Sequence, residues 1–220
     1  MVEPAHKGDP YVAEPDGRPR ATVAVLHAWW GVTPVIRRVC DDLAGLGYVA
    51  VAPDLFGGEI ATTAAEAMVL RGRRRSRPMW REIVESIGTA QRLHGAKALG
   101  QVGFSMGGHW ALWLAKQSQP EIPPISATSV FYAVRGGDYS QSTTAFQFHL
   151  AETDPFVSEK SAGRLERDLV AGGRQAEFFR YSGTGHWFFE WDRPEAYVSD
   201  AAALAWSRTV SFLDRHLPGR

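Results

Sequence analysis

At 220 residues, 45% of them hydrophobic and 22% charged, the chain is long enough to bury one sizeable core and too apolar to read as a disordered tail. Its 24 Lys plus Arg balance 24 Asp plus Glu, so no whole-molecule field draws it to nucleic acid or to an anionic membrane. The single cysteine, Cys40, excludes an intrachain disulfide and a thiol-based metal site, and fits a reducing, cytoplasmic setting.

One domain over residues 1–220 is expected, led by a polar arm of residues 1–20 that lacks the apolar run of an export signal. No segment approaches the roughly 18 consecutive apolar residues that a membrane span needs. Tyr11 to Glu14 reads as a short strand and Pro15-Asp16-Gly17 as a turn, together an opening hairpin. The β-branched run Thr22 to Leu26 reads as a buried parallel strand ending in the loop His27-Ala28-Trp29-Trp30-Gly31. Val35, Val39, Leu43 and Leu46 share one stripe of a helix from Pro34 to Leu46, with Gly47 at the left-handed cap position.

Tyr48 to Ala52 is the next buried strand. Thr62 to Arg71 and Met79 to His94 read as helices, with Gly72 and Pro78 breaking the chain between them. Beyond them come strand Ala98 to Phe104, helix Gly107 to Gln117, strands Ala127 to Val134 and Ala145 to Ala151, helix Ser158 to Ala171, strand Gln175 to Tyr181 and a closing helix from Glu195 to about Leu217. Strands alternating with helices over the whole length predict an α/β fold. Its sheet is mainly parallel, helices cover both faces, and ligands sit at the carboxyl ends of the strands.

Gly103-Phe104-Ser105-Met106-Gly107 has the G-x-S-x-G spacing of a nucleophile elbow, a strained strand-to-helix turn that exposes a serine hydroxyl. The string alone is weak, because a packing turn rich in glycine looks the same. Its setting after the apolar run Ala98 to Val102 and before the periodic Met106, Trp110, Trp113, Leu114 gives it weight. A serine hydroxyl is a poor nucleophile unless a base takes its proton. Of the seven histidines, His186 in Ser182-Gly183-Thr184-Gly185-His186 lies on a loop past a predicted strand and downstream of Ser105.

His6 falls in the arm, His149 inside a strand, and His94, His109 and His216 on or beside helices, while His27 precedes the serine; structural or solvent-facing roles suit these better. A carboxylate must hold the imidazole tautomer, and Asp154 follows strand Ala145 to Ala151 and stands between serine and histidine in chain order. Glu152 is the competing acid. Two backbone N–H groups should face the developing oxyanion, one from Met106 and one from Trp29.

These residues together resemble the dienelactone hydrolase family. The likeness spans nearly the whole chain through Val25 to Gly31, Gly47 to Gly58, Gly103 to Gly108, Asp154-Pro155-Phe156-Val157 and Gly185-His186. The resemblance implies a compact α/β-hydrolase without a large lid domain, acting on a small-molecule ester or lactone with no cofactor and no metal. Two positions depart from the family's founding enzymes. Ser105 stands in place of a cysteine nucleophile and Ala28 in place of its partner glutamate. Trp187-Phe188-Phe189-Glu190 replaces an arginine that clamps a substrate carboxylate, which points away from dienelactone itself as substrate.

Trp30, Trp187 and Phe188 are expected to wall an apolar substrate pocket, with core packing the competing reading for each. Arg71, Arg73, Arg74, Arg75 and Arg77 form the only basic run, either a solvated face or an anion-gathering rim. Cys40 reads as a small buried apolar residue. The rival to a hydrolase is a ligand-binding or sensor protein that keeps the fold without turnover, since fold alone does not fix function.

Overall fold

In the computed structural model, residues 8–96, 98–116 and 119–217 are described. His6 of the arm and Gln117, the expected end of a helix, lie outside them. Seven strands form one sheet: β1 (Tyr11–Ala13), β2 (Thr22–Leu26), β3 (Val49–Ala52), β4 (Leu99–Phe104), β5 (Ile125–Phe131), β6 (Ala145–Thr153) and β7 (Ala176–Gly185). Between and after them run helices α1 (Pro34–Gly45), α2 (Ala64–Arg73), α3 (Ser76–His94), α4 (Met106–Ala115), α5 (Glu159–Ala171) and α6 (Ser199–His216).

The strands lie in the order β1-β3-β2-β4-β5-β6-β7. Every pairing is parallel except that of β1 with β3. The expected opening hairpin does not form. Strand β2 already has β3 on one side and β4 on the other, so β1 finds its backbone partner at the outer side of β3, Tyr11 opposite Ala52.

Successive residues of β4 show that helices cover both faces. A methyl at Gly100 would meet Leu217 and Leu213 at the end of α6, whereas Gln101 points the other way and donates to the Ala111 carbonyl of α4 and to Thr128. Ser129, next to Thr128 on β5, meets Thr209 of α6 at 3.1 Å. Strands β2, β3 and β4 are buried at every position, which is why they read as continuous apolar runs rather than alternations.

Local chemistry sets the helix ends. Thr63 and Glu66 form a reciprocal capping box at the start of α2. Gly47, at φ +91°, closes α1 by donating to Ala44 O, as its sequence position predicts. Pro78 does not break the chain as expected: α3 begins two residues earlier, at Ser76, and the proline falls in its first turn, where an N–H has no helical partner to lose. The closing helix starts later than expected, at Ser199, because residues 187–197 make a series of tight turns, Glu190 N to Trp187 O and Arg193 N to Glu190 O among them.

Candidate active site

The site is assembled at the carboxyl ends of β4, β6 and β7. Ser105 joins β4 to α4 with φ +49° and ψ −110°, a conformation that L-residues rarely adopt and that the surrounding packing must hold in place. Its N–H stays tied to the sheet through Phe131 O at 3.0 Å. Strand β6 runs two residues past the expected end and delivers Asp154 from Thr153. Strand β7 likewise continues beyond Tyr181 to Gly185, pairing it with Thr153, so the residues just before Asp154 and His186 are fixed to each other by the sheet.

Ser105 Oγ lies 2.8 Å from His186 Nε2, and His186 Nδ1 lies 2.7 Å from Asp154 Oδ2. Asp154 accepts only, so Nδ1 carries the imidazole proton and Nε2 is left to accept from the serine hydroxyl. The other carboxylate oxygen of Asp154 accepts the N–H groups of Phe156 and Val157 at 2.8 and 3.1 Å. Both side chains of this pair are nearly sealed from solvent, His186 at 3% and Asp154 at 2% exposure. Three rings box the imidazole, those of Tyr132, Phe156 and Trp187, each with its centroid at 4.8 Å.

The competing acid, Glu152, takes no part in this chain. It accepts the Gly183 N–H at 2.8 Å at the surface. His27 is fully buried and accepts from Leu55 N at Nε2, and His149 is sealed beneath the sheet against Tyr181, Gln147 and Thr209, so neither competes as base. Cys40 is fully buried, and burial pushes its thiol pKa well up, as a packing residue's would be.

Above Ser105 opens a cavity of about 740 Å³. Met106, Trp29 and Trp187 line it. Trp30 and Phe188 do not. Trp30 is buried under Trp187 and beneath the Arg193 guanidinium, 4.0 Å above its ring. Phe188 is fully buried against Tyr181 and Tyr132, because the positive φ of Trp187 (+66°) turns the next residue into the core instead of toward the cavity.

Several lining residues carried no functional expectation. His109 stands one helical turn after Ser105 on α4, a spacing of four that places both on one face. Burial lowers its pKa, and Arg135 and His186 add to the effect, so it is neutral at pH 7. Trp110 and Trp113 of α4, Trp80 of α3 and Arg135 after β5 complete much of the wall. Of the basic run, Arg71 and Arg77 reach the cavity. Arg73 and Arg74 instead face Glu59 across 3.7 and 3.9 Å, and Arg74 also bonds the Phe56 carbonyl.

Behind the histidine, Tyr132 donates to Glu190 Oε1 at 2.6 Å. Glu190 is fully buried, and that desolvation raises its pKa to about 8. It fastens the loop that carries His186 to the end of β5.

A largely parallel sheet with its serine at a strand-to-helix elbow and its acid and histidine after later strands defines a protein of α/β-hydrolase architecture. The sequence pattern of the dienelactone hydrolase family matches residues 9–217, and the chain belongs to that family of hydrolases. It is 30% identical to Protein usf of Aquifex pyrophilus over 94% of this chain and 93% of that one. It is 26% identical to a carboxymethylenebutenolidase of Rhodococcus opacus over 89% of this chain and 81% of the relative. The solved structure of a dienelactone hydrolase-like promiscuous phosphotriesterase from metagenomic libraries shares the fold, with a TM-score of 0.78, 18% identity, and coverage of 92% of this chain and 89% of that one. Among the described residues no helix is long and apolar enough to cross a membrane.

Proposed function

We propose that the chain is a serine carboxylic-ester hydrolase that cleaves an ester or lactone of a small molecule through a covalent acyl-enzyme. The observation that carries this reading is the unbroken hydrogen-bonded path from Ser105 through His186 to Asp154 at the floor of a cavity. Ser105 Oγ attacks the carbonyl carbon while its proton passes to His186 Nε2; the developing imidazolium is stabilised by Asp154. The negative charge on the carbonyl oxygen is met by the backbone N–H groups of Met106, at the start of α4, and Trp29. Collapse breaks the ester C–O bond, and the same proton leaves with the alkoxide. Water then attacks the acyl carbon and gives its proton to His186; collapse breaks the bond from the acyl carbon to Ser105 Oγ, His186 returns the proton to Oγ, and the carboxylic acid leaves.

Serine in place of the founding cysteine agrees with Ala28 in place of glutamate. A serine raised by histidine needs no second carboxylate on that loop, and Ala28 is buried where a charge would be costly. The buried lone thiol accords with a cytoplasmic protein. The test is stoichiometric labelling by a serine-directed phosphonate, followed by turnover of short p-nitrophenyl esters by wild type, Ser105→Ala and His186→Ala. Labelling at Ser105, and a roughly ten-thousandfold loss of kcat in either variant, is the expected result. An unlabelled Ser105 in folded protein that turns over no ester would leave the non-catalytic binding protein as the better description, and turnover that survives Ser105→Ala would show that another group is the nucleophile.

A further inference from the structure

The cavity over Ser105 is far larger than a short acyl group requires, and its walls are unusual in kind. Trp29 and Trp187 stack with centroids 5.8 Å apart and planes 20° off parallel, and Phe156 packs against both. Phe156 remains 58% exposed although its ring touches the imidazole of His186. A second group of rings comes from other elements: Trp80 of α3 meets Trp113 of α4 at 6.3 Å, and Trp113 meets Trp110 at 5.9 Å, both edge to face. Among the described residues the two groups make no ring contact with each other, yet both line the same space of about 740 Å³. Five of the chain's eight tryptophans therefore surround one opening beside the serine.

An open chamber between aromatic walls can be read as a cage for a quaternary ammonium ion. The charges here oppose that reading. Arg71, Arg77 and Arg135 line the chamber, and no Asp or Glu does among the described residues, so a fixed cation inside would meet three guanidinium groups and no counter-charge. What remains complementary is a flat apolar ring system, neutral or acidic, which gains both area burial and offset or edge contacts with the indoles.

We propose that this chamber binds a bulky aromatic group, bicyclic or larger and without positive charge, as the acyl or the alcohol half of the ester attacked by Ser105. This deepens the serine-hydrolase reading and rests on it; bond making and proton transfer at Ser105 are unchanged. The experiment compares kcat/KM for p-nitrophenyl acetate, 2-naphthyl acetate, p-nitrophenyl 2-naphthoate and a trimethylammonium-substituted naphthyl acetate. At least one neutral naphthyl ester should exceed p-nitrophenyl acetate by roughly tenfold, the equivalent of two ring contacts, and the cationic ester should fall below its neutral counterpart. The naphthoate and naphthyl acetate arms tell the acyl side from the alcohol side.

Trp113→Ala should reduce the naphthyl-to-acetate ratio about fivefold or more, and Trp113→Phe should keep most of it. Binding is read separately by quenching of tryptophan fluorescence with 2-naphthol in Ser105→Ala, which needs neither turnover nor a tryptophan substitution. Ester turnover with no naphthyl preference and no quenching overturns the proposal and leaves Ser105 as nucleophile. Quenching without turnover of any ester supports the chamber and overturns the nucleophile instead. A cationic ester preferred over the neutral one overturns the charge argument and the proposal with it.

Discussion

Gly107 shows how closely the elbow is built. A methyl placed on it would lie 1.9 Å from the Leu26 carbonyl oxygen, and one on Gly103 would lie 2.7 Å from Gly107 O, so neither side of Ser105 has room for any side chain. Backbone atoms stand at both contacts and no flexible side chain can give way. Gly107→Ala should therefore cost about 3 kcal/mol of stability, measured as a drop in the urea midpoint, and should disturb the serine's geometry in whatever folded protein remains. The three polar residues of the site were legible because each sits at a position dictated by chain order and strand ends. Phe188 and Trp30 were not, since three aromatics in a row carry no periodicity and only the backbone turn at Trp187 decides which of them faces the cavity. His109 and the α4 tryptophans had a readable signal, their helical offsets from Ser105, but a stripe of large apolar residues on a helix ordinarily means core.

At the scale of elements, the buried parallel strands β2, β3 and β4 were legible from unbroken apolar runs, and α1 from its stripe and its glycine cap. The partner of β1 was not, because local turn chemistry favours a hairpin and only the crossover topology denies it one. The turns of residues 187–197 were equally hidden, as distant contacts hold them: the Tyr132–Glu190 hydrogen bond and those of Arg193. Arg193 donates to the carbonyls of Ala61 and Thr62 at 3.0 and 2.9 Å while its guanidinium covers Trp30, which ties the base-bearing loop to the segment entering α2. Arg193→Met should cost roughly 2 kcal/mol, since it strands the buried Ala61 carbonyl and removes the part-buried bond to Thr62. Hydrogen exchange should rise selectively in residues 59–63 and 187–198; a uniform rise across the sheet would show that the contact is not a local tie.

For the whole molecule, buried titrating groups shape the dependence of stability on pH, and His149 and Glu190 show the two opposite signs. Burial holds His149 neutral, with a pKa lowered from 6.5 to about 3, so stability is fully present above 6.5 and is lost as pH falls toward 3. Burial raises Glu190 from 4.5 to about 8, so its contribution is fully present below 4.5 and is lost as pH rises toward 8. The two slopes oppose each other between 4.5 and 6.5, and only the Glu190 slope acts from 6.5 to 8. Urea midpoints should decline from pH 6.5 to 8. Glu190→Gln, which keeps an oxygen for Tyr132, should abolish that decline; if the decline persists in the variant, another group is responsible.

From β4 onward the strands stand side by side in the order in which they are synthesised, each adding to the edge left by its predecessor. Ser105 therefore emerges from the ribosome first, Asp154 49 residues later and His186 last, 32 residues beyond that. On the proposed serine-hydrolase mechanism, a nascent or truncated chain holds a serine without the imidazole that would take its proton, so reactivity is withheld until the outermost strand has docked.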